Sequence, residues 1–290
     1  AQTFARLGSQ VCLFEMAPHV LIREDGEAAA IVEQAMIRDG VDLRLGARVQ
    51  EIEVTNEAKA IHFERDGEAA RFGVDEVLLA IGRAPNVEAI GLEAAGIEFD
   101  RSGVKVDDRL RTTNKRIYAV GDVASQFKFT HAADALARIA IQNSLFFGRA
   151  RASDLVIPWC TYTSPELAHV GMTQKEAEED GIDIDVLTVP LAQVDRAVLD
   201  GTAEGFLRLV TRKGKDRILG ATLVADHAGE LLGELTLAVK AGIGLNTIAS
   251  TIHAYPTQAE VLKKAADTWR RGKLTPTVQK IFNGFFKLLA

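Results

Sequence analysis

Apolar residues return at two different spacings along this chain of 290 residues, and the switches between them mark out its elements. Residues 24–39 place Ala28, Ile31, Val32, Ala35 and Met36 on one face at helical spacing, and Gly40 ends the run. Before it, residues 1–8 read as the last two turns of a helix ending at Gly8, and residues 10–15 as a buried strand closed by Glu15. After it come short strand-like runs at 42–45, 48–54 and 60–64, followed by a hairpin turn at Asp66-Gly67. Another strand is expected to end in Leu79-Ala-Ile-Gly82. Residues 117–120 form a short apolar run that suits one buried strand, and the Ala-rich segment 130–147 reads as a helix.

Residues 149–154 are charged and small, which suits a linker, and a different composition begins at Leu155. A helix is expected from Thr173, capped in Thr-x-x-Glu style. Strands are expected at 184–191, 205–211 and 217–224, with turns at Gly201 and at Lys213-Gly-Lys. Two helices follow. Residues 229–240 carry Leu231, Leu235 and Val239 on one face, and 257–271 follow Pro256. The last segment, 272–290, repeats Val278, Ile281, Phe282, Phe285 and Leu289 as a stripe beside Arg270, Arg271, Lys273, Lys280 and Lys287. Such a stripe suits either packing on the protein's own body or lying weakly on a membrane surface.

Composition narrows this picture only slightly. Hydrophobic residues at 47% with 6% aromatics describe a globular chain packed with small aliphatic side chains, long enough for two or three domains. A net charge of -6 argues against a nucleic-acid partner. No apolar run is long enough to span a membrane and no signal peptide opens the chain, so a cytoplasmic protein is expected. Cys12 and Cys160 stand far apart in strand-like contexts and read as buried small hydrophobes, with no metal-binding spacing.

The candidate chemistry starts at Gly121-Asp122. Gly121 lets a ligand approach the backbone. Asp122 stands just past the carboxyl end of the expected strand, where open α/β sheets bind ligands. Its carboxylate only accepts hydrogen bonds and so suits a polyol or ribose hydroxyl; read alone, the pair also suits a capped turn. The helix expected from Thr130-His131 would turn free N–H groups and a positive dipole end toward the same place. Glu15, at a strand end, suits a ribose 2′-hydroxyl, or equally a solvent-exposed glutamate.

The string Thr-x-x-x-Ile-Tyr-Ala-Val-Gly-Asp122 resembles the second flavin motif of the class I pyridine nucleotide–disulfide oxidoreductases, the family of dihydrolipoamide dehydrogenase, glutathione reductase and mercuric reductase. The resemblance covers nearly the whole chain. It implies an α/β fold: a truncated Rossmann-like NAD domain (1–84), part of an FAD domain (85–153), an α+β dimerisation domain (154–271) and an amphipathic C-terminal helix (272–290). It implies FAD held through Gly121, Asp122 and the backbone around Thr130 and His131. It also implies a nicotinamide nucleotide bordered by Val49 and by Ala80, Ile81, Gly82 and Arg83. Glu15 favours NAD over NADP, for which family members usually carry basic residues, and only Arg23 is near.

In the dimerisation domain the family's reductases place a histidine before Pro-Thr, paired with a glutamate five positions on. Here that position is Tyr255, while Glu260 is kept and His253 lies two residues upstream. A phenol, with an ordinary pKa near ~10, is a poor base at neutral pH but a good hydrogen-bond donor. Mercuric reductase is similar in carrying a tyrosine here. Read alone, Tyr255 is a packed aromatic at a helix entrance. The C-terminal cysteine pair of mercuric reductase has no counterpart in this sequence, so mercury reduction does not follow from the resemblance.

The chain opens without Met, and the family's glycine fingerprint and Cys-x4-Cys pair are expected upstream of residue 1. The implied activity is electron transfer from NAD(P)H through FAD to a small-molecule disulfide or thiol-bound metal ion, in a homodimer. The alternatives are dithiol oxidation of the dihydrolipoamide dehydrogenase type, or an inactive dimerisation module.

Overall fold

A computed structural model describes residues 1–55 and 58–289, with side chains through Lys287; the expected stripe position Leu289 therefore lies outside the described side chains. The chain divides into two compact units, one formed by Ala1–Val77 with Pro158–Ala290 and the other by Leu78–Ile157.

The first stretch opens with α1 (Gln2–Arg6) and β1 (Cys12–Glu15), then α2 (Gly26–Arg38). Asp25 caps α2 by accepting from the Glu27 and Ala28 N–H groups at 3.1 Å each, an arrangement worth about 1 kcal/mol. The face of α2 that the spacing marks is the buried one, through Ala28, Val32, Ala35 and Met36. β1 pairs in parallel with β2 (Asp42–Leu45). β3 (Arg48–Val54), β4 (Lys59–Arg65) and β5 (Glu68–Val74) form an antiparallel sheet, turning at Asp66-Gly67 with both residues at positive φ. The Arg44 guanidinium lies 4.2 Å from the centre of the Phe72 ring and fills the space between Phe14, Phe63 and Phe72.

The strand expected to end at Gly82 does not form. No described segment pairs with it, and Leu79 and Ile81 are exposed. An apolar run becomes a strand only where a neighbouring backbone takes its hydrogen bonds.

Within Leu78–Ile157, β6 (Phe99–Asp100) and β7 (Gly103–Val104) make a minimal hairpin. Residues 117–120 are extended but not a strand; a single bridge joins Tyr118 to Arg111. The period of two survives nonetheless. Ile117 and Ala119 pack on Val87, Leu92, Ile97 and Val104, while Tyr118 and Val120 pack on Leu110, Leu136 and Ile139. The segment thus divides two small cores. A 3₁₀ turn, Gly121–Val123, follows, and then α3 (Thr130–Leu145). The expected linker is ordered at its end: Ser153 donates to the Asp108 carboxylate from N and Oγ, both at 2.8 Å.

The remaining stretch contains β8 (Trp159–Thr161), β9 (Glu166–Gly171), α4 (Gln174–Glu179), β10 (Ile184–Pro190), α5 (Asp195–Leu199), β11 (Phe206–Arg212) and β12 (Ile218–Ala225). α6 (Ala228–Ala241), α7 (Leu245–Ser250), α8 (Glu260–Gly272) and α9 (Pro276–Leu289) complete it. Its strands form one antiparallel sheet in the order β10-β11-β12-β9-β8. The expected capping box is present, Thr173 and Glu176 each accepting the other's backbone N–H. α6 buries Leu232, Leu235 and Ala238, on the expected face centred on Leu235, where Leu231 and Val239 are half-buried. α8 begins at Glu260, three residues later than its expected start.

This stretch closes onto the first. Leu167, Phe206 and Val224 share a core with Ala28, Val32, Met36 and Val41. Gln2 donates to the Ser164 carbonyl at 2.7 Å, and Trp159 Nε1 donates to Glu24 at 2.9 Å. Arg208, only 14% exposed, grips the Asp25 and Glu27 carboxylates together.

Candidate functional site

In the Leu78–Ile157 unit, Gly121 and Asp122 stand in the 3₁₀ turn directly after the segment that divides the two cores. Gly121 is buried with φ +72, and a Cβ there would meet the Cβ of Ala133 at 3.1 Å. The turn therefore needs glycine both for its backbone and for its approach to the first turn of α3. Asp122 is exposed. Its carboxylate lies 3.7 Å from Arg83 Nη1, and the same nitrogen donates to the Lys128 carbonyl at 3.3 Å. So Arg83, far from it in sequence, stands beside the Gly121-Asp122 turn.

Thr130 and His131 open α3 and are exposed, and the rings of His131 and Phe129 stack 5.4 Å apart. Phe129, the residue before this helix, makes no side-chain capping bond to it among the described residues, and the positive dipole end of α3 lies at this start. Ala80, Ile81 and Gly82 run along an exposed segment, Ile81 at 91% exposure, and Gly82 takes φ +103.

In the other unit, Glu15 ends β1, and its carboxylate accepts the Ala17 N–H at 2.8 Å, which fixes its direction at the strand end. Its carbonyl accepts from Ala47 at 2.9 Å, two residues before the exposed Val49 on β3. Cys12 and Cys160 are half-buried rather than buried. Burial, first of all, pushes their thiols up to about 11 and about 12, so neither is a thiolate at neutral pH.

His253, Tyr255 and Glu260 lie along the segment that enters α8, yet they aim at different partners. His253 is nearly enclosed and bonds Glu234 of α6 at 3.2 Å. Tyr255 is exposed and donates to Asp195 of α5 at 2.9 Å. That bond to a carboxylate, followed by its negative charge, raises the phenol above its ordinary pKa. Glu260 begins α8; one oxygen pairs with Lys264 at 3.3 Å, and the other is buried with no hydrogen-bond partner among the described residues. The sequence offered no sign of Asp195 or Glu234, because neither is a local neighbour of the residue it holds.

For a flavin, an exposed carboxylate beside a helix start offers acceptors to a polyol and donors to an electron-rich ring edge, and the glycine leaves room for close approach. For a nicotinamide nucleotide, the oriented Glu15 carboxylate offers an acceptor to a ribose hydroxyl. Both sets of groups suit these ligands in hydrogen-bonding kind. Among the described residues no cluster of three or more His, Cys, Asp or Glu is placed to hold a metal ion.

Two family models match: "Pyridine nucleotide-disulphide oxidoreductase" over residues 1–137 and "Pyridine nucleotide-disulphide oxidoreductase, dimerisation domain" over 157–266. Among similar proteins, a dihydrolipoyl dehydrogenase from Thermus scotoductus is 35% identical over 92% of this chain and 58% of its own length. A mercuric reductase from Bacillus cereus is 34% identical over 92% of this chain and 43% of its own length. The HOCl-induced flavoprotein disulfide reductase RclA from Escherichia coli superposes with a TM-score of 0.83 at 31% identity, over 92% of this chain and 61% of that one. This chain thus spans about half the length of these relatives. It belongs to the pyridine nucleotide-disulphide oxidoreductase family.

Proposed function

We propose that the chain is part of an FAD-dependent oxidoreductase that takes electrons from NADH, in preference to NADPH, and delivers them to a disulfide or a thiol-bound metal ion. Bound flavin would supply the hydride and electron chemistry. The observation that carries the reading is the Gly121-Asp122 turn set against the start of α3. There Asp122 would hold the flavin's polyol hydroxyls, with Arg83 beside it, and the Thr130-His131 backbone would offer N–H groups to the ring edge. Glu15 would accept from the nucleotide ribose and repel a 2′-phosphate.

Tyr255 favours an acceptor of this kind over dithiol oxidation. Its proton is held more firmly than a free phenol's, so it would serve an acceptor site as a hydrogen-bond donor and not as a base. In a homodimer it would serve the partner's site. Flavin content tests the reading: the intact protein should purify yellow, and Asp122→Ala should bind FAD about tenfold or more weakly, as expected for one lost charged hydrogen bond. Equal flavin affinity in the two would overturn it.

A further inference from the structure

We propose that α9 docks on the surface of an anionic lipid bilayer and lies along it. The proposal is independent of the electron-transfer reading. From Thr268 to Ala290 the chain carries five basic residues and no acidic one, within a protein of net charge -6. α9 is a separate helix: Thr275 accepts the Gln279 N–H through its carbonyl at 2.9 Å, and Pro276 takes the first helical position. Its apolar face is not packed on the protein. Ile281, Phe282, Phe285 and Phe286 are 66, 47, 55 and 59% exposed. At 100° per residue Lys280, Asn283 and Lys287 fall on the opposite face.

A helix with aromatic residues on one side and lysines on the other is built for the boundary between headgroups and acyl chains. Among the described residues no helix is long and apolar enough to cross a membrane, so α9 would rest on the surface. Charge favours lipid over self-association. Two copies of this segment joined through the apolar face would leave their lysines facing outward with nothing to neutralise them, whereas an anionic bilayer does neutralise them. The acidic remainder of the chain is repelled from the same surface, which confines contact to the helix.

The test is co-sedimentation of the full-length protein with phosphatidylcholine vesicles, with and without phosphatidylglycerol. Binding should need the anionic lipid and weaken in high salt. Lys280→Glu/Lys287→Glu should lower the partition coefficient by about tenfold or more. Phe282→Ser/Phe285→Ser should lower it too, with circular dichroism unchanged. Absence of sedimentation, or equal binding to neutral vesicles, overturns the proposal. So does a Phe282→Ser/Phe285→Ser variant that stays on vesicles while its dimer dissociates, which would assign the face to a second copy.

Discussion

The Tyr255 hydroxyl donates to Asp195 Oδ2 at 2.9 Å, joining the segment before α8 to a five-residue helix sixty positions earlier. In Asp195→Asn the acceptor loses its negative charge, so Tyr255 should ionise at lower pH than in the parent. With three tyrosines in the chain, ultraviolet titration of the variant against Tyr255→Phe can isolate the change. The sign for stability follows. A phenol raised in the folded state contributes fully below its unfolded pKa of about 10, and that contribution is lost as pH rises through the folded value. Unchanged tyrosinate formation in Asp195→Asn would show that the bond does not hold the proton.

Glu15 supports a second prediction. Its carboxylate is fixed by the Ala17 N–H, and in the proposed reading it accepts from the nucleotide ribose. In the intact enzyme kcat/KM should be higher for NADH than for NADPH, by an amount worth roughly 1–3 kcal/mol. Glu15→Arg should shift the preference toward NADPH. Equal values for both nucleotides in the parent would remove Glu15 from the nucleotide site.

His169 should make the fold acid-sensitive. Its ring is buried against Trp159, with Nε2 donating to the Gly171 carbonyl at 3.0 Å and Nδ1 bonded to Thr222 Oγ1 at 2.8 Å. Burial, the main cause, lowers its pKa below the ordinary histidine value. Below about pH 6.5 the unfolded chain takes up a proton that the folded one resists, so stability should fall as pH drops through that range. Asp108, held low by its Ser153 bonds, adds a loss of the same sign only at lower pH, nearer 4. Urea unfolding between pH 5 and 7 should show the slope in the parent and a flatter one in His169→Gln.

Arg208→Ala should destabilise the chain by about 2 kcal/mol, because it removes a largely enclosed guanidinium and leaves Asp25 with only its cap bonds. Asp25→Asn should cost less in the Arg208→Ala background than alone. Strictly additive losses in urea unfolding would mean that the two side chains do not act together.

Most of the helices and antiparallel strands were legible because their signals are local. Thr173 and Glu176 cap one another three residues apart, and Asp66-Gly67 supplies the two positive φ angles of a tight turn. The expected strands at 82 and at 117–120 failed for a shared reason. Apolar alternation reports which faces are buried, as it does for Ile117 to Val120, but it cannot report whether a partner strand is present. The short helices α5 and α7 were missed because five or six residues give too little periodicity to read. At the candidate site the same limit applies. Tyr255 and His253 could be singled out, but the carboxylates that orient them come from elements brought close only by the fold.

The grip of Arg208 on the first turn of α2 has a consequence for how the chain is partitioned. It is one of several ties between residues before Val77 and residues after Pro158, together with the bonds from Gln2 and Trp159. For the unit these ties close, the whole of Leu78–Ile157 is a single long loop. The entropy of closing a loop grows only with the logarithm of its length, about 0.6 kcal/mol for each doubling. An inserted segment of this size therefore weighs little more on the unit that hosts it than one half as long.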